Sequence, residues 1–315
     1  MSVQTVRTPL TSRAGLPSDR PFPPPAFGTA RVGRQPGRRT TCCAALLTAI
    51  LAFFPDVSPA RAATLSTQVL APSLSVGVGL AVAPVYDGAS AYAGTPLPLV
   101  RAVMPTATLG TLTASYPEGL RWDLPVGGLF GVALLGNYDP GRKARIRTLS
   151  GHDHHLRGMG DLGGTAMTGA EFSVNVAPYR LFVRGMQALR DRHYGGEALG
   201  RTAWLDAGMA SELPLTGTLS MSLETYASWS DRHDMMARFG VTPSQAEHSA
   251  FHAHQAGGGL RGGTMRWGLR WQDTPEISFS GGVQLTALTR KVVRDSPLTE
   301  KSVTGGLFLN ALYSF

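Results

Sequence analysis

The sequence predicts an all-β fold: one antiparallel transmembrane β-barrel of about twelve strands, with ten as the alternative. Three observations predict it. Apolar residues alternate with small or polar ones over segments of about ten residues, the length of a tilted membrane-crossing strand. No run of eighteen apolar residues follows position 62, so helical spans are not expected. The chain also ends GGLFLNALYSF, and at period two Leu307, Leu309, Ala311, Tyr313 and Phe315 share one wholly apolar face.

Before any strand comes a targeting segment. Arg38 and Arg39 precede the apolar run Cys42 to Phe54, which is too short to cross a bilayer as a helix. Ala60 and Ala62 follow in an A-x-A pattern, so residues 1–62 read as an N-terminal extension and signal peptide cleaved near Ala62. Residues 1–31 are long for such a signal, and a start near Val32 would leave one of normal length. The segment holds eight arginines and two aspartates of a chain with net charge +8, leaving 21 basic and 19 acidic groups, a net of +2, in the expected barrel, residues 63–315. No basic, aromatic-interleaved patch remains there, so no nucleic-acid partner is expected. Both cysteines, Cys42 and Cys43, lie in the signal, so no disulfide framework is expected after cleavage.

Strands are expected near 73–83, 97–104, 106–115, 119–125, 129–138, 168–176, 179–189, 201–213, 218–230, 257–272 (with 263 as the alternative start), 275–289 and 303–315. The first puts Leu74, Val76, Val78, Leu80 and Val82 opposite Ser73, Ser75, Gly77, Gly79 and Ala81. In MRWGLRWQ, Met265, Trp267, Leu269 and Trp271 alternate with Arg266, Gly268, Arg270 and Gln272. A soluble β-sandwich also alternates. Long strands, small polar inner faces, aromatic residues toward strand ends and the export signal favour the membrane barrel. Tight turns at Ala177-Pro178, Pro214 to Gly217 and Asp273 to Pro275 alternate with longer polar loops at 139–167, 190–200, 231–256 and 290–301, as periplasmic turns and external loops do. An even strand count returns the C-terminus to the periplasmic side.

Three segments carry a family resemblance. They are GVGLAVAPVYDGASAYAGTPLPLV, ARFGVTPSQAEHS and RDSPLTEKSVTGGLFLNALYSF. Pro84, Tyr86, Asp87 and Gly88, then Phe239, Gly240 and Val241, then Asp295, Ser296 and Pro297 match a P-x-Y turn, an F-G-V segment and a D-S-P segment in order. The chain resembles the MipA/OmpV family of outer-membrane barrels over residues 70–315, only loosely across 139–200. The resemblance implies residence in the cell outer membrane, among lipopolysaccharide, and a noncatalytic scaffold role joining a murein synthase to a lytic transglycosylase. A small pore or transport barrel and an adhesin are the alternatives. No catalytic motif transfers, and no cofactor is implied.

Other residue groups have plainer readings. His152, His154 and His155, beside Asp153, and His248, His252 and His254, near Glu247, carry donors that suit zinc or copper. Neither group has a recognised metal spacing, and solvated loops with incidental histidines are the reading adopted. Asp153 with His155 raises a hydrolase, but no G-x-S-x-G appears. Arg142, Lys143, Arg145 and Arg147 suit lipopolysaccharide phosphates or simple solubility equally. Arg180, Arg184, Arg266 and Arg270 fall on inward faces, where pairing with Glu171, Glu212 and Glu224 is favoured over an anion path. Tyr313 and Phe315 resemble the terminal signal read by the outer-membrane assembly machinery.

Overall fold

The computed structural model describes residues 71–315; the expected signal and its exit near Ala62 lie outside the described residues. The strands are β1 (Ser73–Pro84), β2 (Tyr92–Thr106), β3 (Gly110–Tyr116), β4 (Gly119–Leu124), β5 (Phe130–Asp139), β6 (Ile146–Thr148), β7 (Gly151–Asp153), β8 (Thr165–Val176), β9 (Tyr179–Ala188), β10 (Arg192–Tyr194), β11 (Glu197–Gly200), β12 (Ala203–Pro214), β13 (Leu219–Ser230), β14 (Gly259–Gln272), β15 (Ile277–Leu288) and β16 (Val303–Ser314). Twelve of them close a barrel in the order β1-β16-β15-β14-β13-β12-β9-β8-β5-β4-β3-β2. β6–β7 and β10–β11 are separate two-stranded ribbons in the loops. Among the described residues no helix is long and apolar enough to cross a membrane.

Closure comes from β1 and β16, which pair antiparallel from Ser75–Ser314 to Val82–Leu307. The Phe315 N–H adds a last rung, donating to the Leu74 carbonyl at 2.9 Å. In lipid an unpaired edge leaves several backbone groups without partners, at several kcal/mol each, so this ladder is what makes the wall viable. The outward faces are apolar: Val78, Leu307, Leu309 and Phe315 are all exposed. Aromatic pairs sit near the turn end, including Trp271–Phe279, Phe130–Phe172 and Tyr313–Phe315, the last at 5.0 Å.

The β2–β3–β4 region departs from the sequence expectation. β2 runs to Thr106, through Pro105, and turns at 107–109. Thr106 Oγ1 accepts from the Leu109 N–H at 3.0 Å and donates to the Gly110 carbonyl at 2.8 Å, while Gly110 has φ +83°. Pro105 pairs with Thr111, but β1 begins opposite Val103, so among the described residues no strand lies on the side where Pro105 lacks its N–H. The β3–β4 hairpin then turns back at Pro117-Glu118, short of the outer rim. Long and short connections therefore do not alternate throughout.

The outer loops are folded. α1 (Arg232–Phe239) is capped by Asp231, whose carboxylate accepts from the Asp234 N–H at 2.7 Å. α2 (Pro243–His248) has a capping box between Thr242 and Gln245 and proline in its first turn. With α3 (Lys291–Arg294), these segments enclose two apolar clusters at the loop end of the barrel. One joins Tyr86, Leu156, Met159, Tyr194, Val241 and Leu298; the other joins Met235, Phe239, Ala256, Leu288 and Val293.

Candidate functional site

The three motif segments, far apart in sequence, converge in this loop cap. Tyr86 and Val241 are buried in one cluster, Phe239 in the other. The Ser296 hydroxyl donates to the Phe239 carbonyl at 2.6 Å. Gly88 has φ +85°, which favours glycine, and its carbonyl accepts from both Glu300 and Lys301 N–H at 2.9 Å. Glu300 in turn accepts from Tyr86 Oη at 2.9 Å and from Ser90 Oγ at 2.7 Å.

A charge network lies beneath these clusters. Arg238 reaches Asp87 at 2.9 Å, Asp234 at 3.0 Å and Asp139 at 4.0 Å. Arg192 bonds Asp139 at 2.8 Å, and Arg261 lies 3.6 Å from Asp234. Burial disfavours charge on Asp87, but Arg238, Arg261 and Arg142 outweigh it and hold the carboxyl below its ordinary value. Burial likewise opposes charge on Glu300, and the donors Ser90 and Tyr86 pull it below the ordinary value. Tyr86 is pushed up, first by burial and then by Glu300.

Arg142 corrects a sequence expectation. Its guanidinium points into the cap, 5.3 Å from the Tyr86 ring and 5.2 Å from the Tyr194 ring, and donates to Tyr194 Oη at 2.5 Å. It is not presented to outside phosphates. Lys143 is exposed and pairs with Asp161 at 2.9 Å, while Arg145 and Arg147 are exposed.

The histidines are spread through the cap. His152 and His154 stack on each other; His155 stacks on Tyr86 and meets Phe251 edge-on. His248 Nδ1 lies 2.8 Å from the Ser244 carbonyl and His254 Nε2 lies 2.9 Å from the Val292 carbonyl, while His252 is exposed. Among the described residues no three His, Cys, Asp or Glu side chains gather as a metal site.

Inside the barrel, Glu171 is almost fully buried and gathers Arg121 at 3.0 Å, Arg180 by a direct hydrogen bond and Arg184 at 3.8 Å. Arg184 continues to Asp206 at 3.8 Å and Glu224 at 3.1 Å, and Arg266 reaches Glu224 at 3.6 Å. Pairing with Glu171 and Glu224 is therefore observed for Arg180, Arg184 and Arg266, but not for Arg270, which has no ion-pair partner among the described residues. Among the described residues Glu212 takes only the Ser220 hydroxyl, at 3.5 Å, and no arginine. Arg121 and Asp206 join this network in addition to the residues expected from the sequence; their inward phase in GLRWDL and AWLDAGM was the available signal.

The match to known proteins follows this geometry. The family described as MltA-interacting protein MipA matches residues 76–315. The chain belongs to the MipA family. A comparison with curated protein sequences gives no match. Among solved structures, the MipA-family barrel is similar to the NanC porin at 8% identity, covering 76% of this chain and 98% of that one, with a TM-score of 0.39. OmpT of Vibrio cholerae gives 8%, 78%, 97% and 0.35. An outer membrane channel from Pseudomonas putida F1 gives 11%, 82%, 100% and 0.36. This MipA-family protein is an outer-membrane β-barrel, its apolar outward faces meeting lipid and its C-terminus lying at the end with the short turns.

Proposed function

We propose that this barrel is a noncatalytic scaffold, holding a lytic transglycosylase and a murein synthase at the inner side of the outer membrane. The family takes its name from an interaction with MltA. The observation that carries the reading is the outer end itself. Packed apolar clusters and the Arg238 network hold the outer loops together as a cap, and the Glu171 cluster pairs inward charges with one another in the lumen. A barrel with fixed loops and paired lumen charges is suited to presenting a rim rather than to bulk passage. Lipopolysaccharide would surround the barrel, with Arg145 and Arg147 among the exposed basic loop residues that could meet its phosphates.

Crosslinking of intact envelopes followed by affinity purification of the barrel tests this. A murein synthase or lytic transglycosylase should be enriched over an unrelated barrel at equal abundance. Recovery of no murein-processing protein would overturn the reading. A small pore is the second reading, favoured by a lumen cavity of about 330 Å³ beneath the cap. Stable, anion-preferring bilayer currents altered by Arg266→Ala or Arg270→Ala would select it instead.

A further inference from the structure

The barrel wall has a window above the β3–β4 hairpin. β2 pairs with β3 only from Val100 onward, although it pairs with β1 up to Tyr92. Residues Tyr92–Leu99 therefore have no strand on their β3 side, and no backbone ladder joins β2 to β5 among the described residues. That edge spans eight residues, roughly 26 Å at about 3.3 Å each. Its outward row is Gly94, Pro96 and Pro98, followed by Val100, an apolar sequence that places the window at lipid depth. The prolines fit an open edge. Alternate residues of a strand bond to opposite neighbours, and the Tyr92 carbonyl on this edge is taken by the Leu149 N–H of the overlying loop at 2.9 Å. Pro96 and Pro98 share that phase, so the missing N–H groups are those that would face lipid unpaired.

A cavity of about 450 Å³ runs from the lumen to the lower lip of this window, at Leu99, Val100 and the β3–β4 tip. Its lining includes outward side chains, Val100, Tyr116 and Leu120, and inward ones, Leu99, Arg101 and Arg270. Arg101 and Arg270 have no hydrogen-bond or ion-pair partner among the described residues, unlike Arg121 and Arg184, which also line it. The one carboxylate on the lining, Glu118, stands in the hairpin tip. Arg184 Nε and Asn137 Oδ1, buried polar atoms of two lining residues, also lack partners among the described residues. The volume falls in the range of about 300–1,000 Å³ seen for small-molecule sites.

We infer that this cavity binds a single-chain anionic amphiphile, its head on Arg101 and Arg270 and its tail passing out through the wall between β2 and the β3–β4 tip. The apolar lip excludes a fully hydrated ion, and unpaired arginines select an acid head. The inference does not depend on the scaffold reading. The same chemistry can be supplied from solution as a fatty acid or from the leaflet as a lysophospholipid.

Native mass spectrometry of the full barrel in neutral detergent tests it, with dodecanoate added from solution or lysophosphatidylglycerol supplied in the bilayer before extraction. Retention of one molecule of either supports the site and names the supply; retention of neither overturns it. Arg101→Gln with Arg270→Gln should lower occupancy at least tenfold. Leu120→Trp, on the exposed lip, should lower it too while the folded barrel keeps its heat-modifiable gel migration. Equal binding of dodecyltrimethylammonium, equal binding by the double variant, or equally tight binding of butanoate would each overturn the inference, the last by showing an ion site with no role for the tail.

Discussion

Asp87 and Arg238 stand 151 residues apart in the chain and meet at 2.9 Å in the outer cap. One belongs to the loop after the first strand and the other to α1, so this pair ties the two ends of the cap together. Arg238 also covers Asp234, which is almost fully buried. Arg238→Gln leaves that carboxylate with Arg261 alone, at 3.6 Å. Removing one partner of a buried pair costs about 3 kcal/mol, somewhat less here because Arg238 is partly exposed. Limited proteolysis of the folded variant should cut within 231–258 while heat-modifiable migration persists. Protection equal to the parent's would refute the tie.

Acid should loosen the same cap. Asp87 and Glu300 are both held below their ordinary values. Their contribution is therefore complete above the unfolded carboxylate value of about 4 and is lost as pH falls through the lower folded values. Hydrogen exchange of segments 85–91 and 298–302, corrected for intrinsic rates, should rise below about pH 4 while the β13–β16 strands stay protected. Glu300→Gln should weaken the dependence. A flat profile in the parent protein would contradict the assignment.

Glu171 is the acid on which Arg121, Arg180 and Arg184 converge. Glu171→Gln keeps the shape and removes the charge, leaving three guanidinium groups less compensated in the lumen. A loss of about 3 kcal/mol is expected, read as a lower temperature for the gel-shift transition. An unchanged transition would mean that lumen water already screens the cluster.

At the other end, Phe315 is 74% exposed and packs edge-on against Tyr313. We propose that the two rings are read during assembly by strand addition. Deleting Phe315 removes both the ring and the rung to Leu74; Phe315→Ala removes the ring alone. Both should accumulate in the periplasm at low expression, with Tyr313→Ala milder. Normal delivery of Phe315→Ala would leave the rung, not the ring, as the terminal requirement.

Much of the wall was legible in the sequence. Alternation at period two is a local property, so Leu307 to Phe315, Val76 to Leu80 and Met265 to Trp271 declare their outward faces without reference to any partner. Turn prolines and glycines at 177–178, 214–217 and 273–275 are local in the same sense and mark three hairpins, whereas the choice between ten and twelve strands is decided only by the β2–β3–β4 pairing. The short helices read only as polar loop, although Thr242-Pro243-Ser244-Gln245 carries the capping-box pattern that marks one of them. What sequence could not supply is which distant residues share a space. The Pro84–Gly88, Phe239–Val241 and Asp295–Pro297 segments become one cap only when barrel closure brings the loops after β1, β13 and β15 to the same rim. Arg142 reads as a surface cation until its loop folds over Tyr86 and Tyr194. Arg101 and Arg270 gain meaning only because β3 and β4 stop short and open a cavity between them. Strand phase depends on neighbours one or two residues away, whereas charge pairing and cavities depend on closure of the sheet; the first is written along the chain, and the second exists only once the barrel has closed.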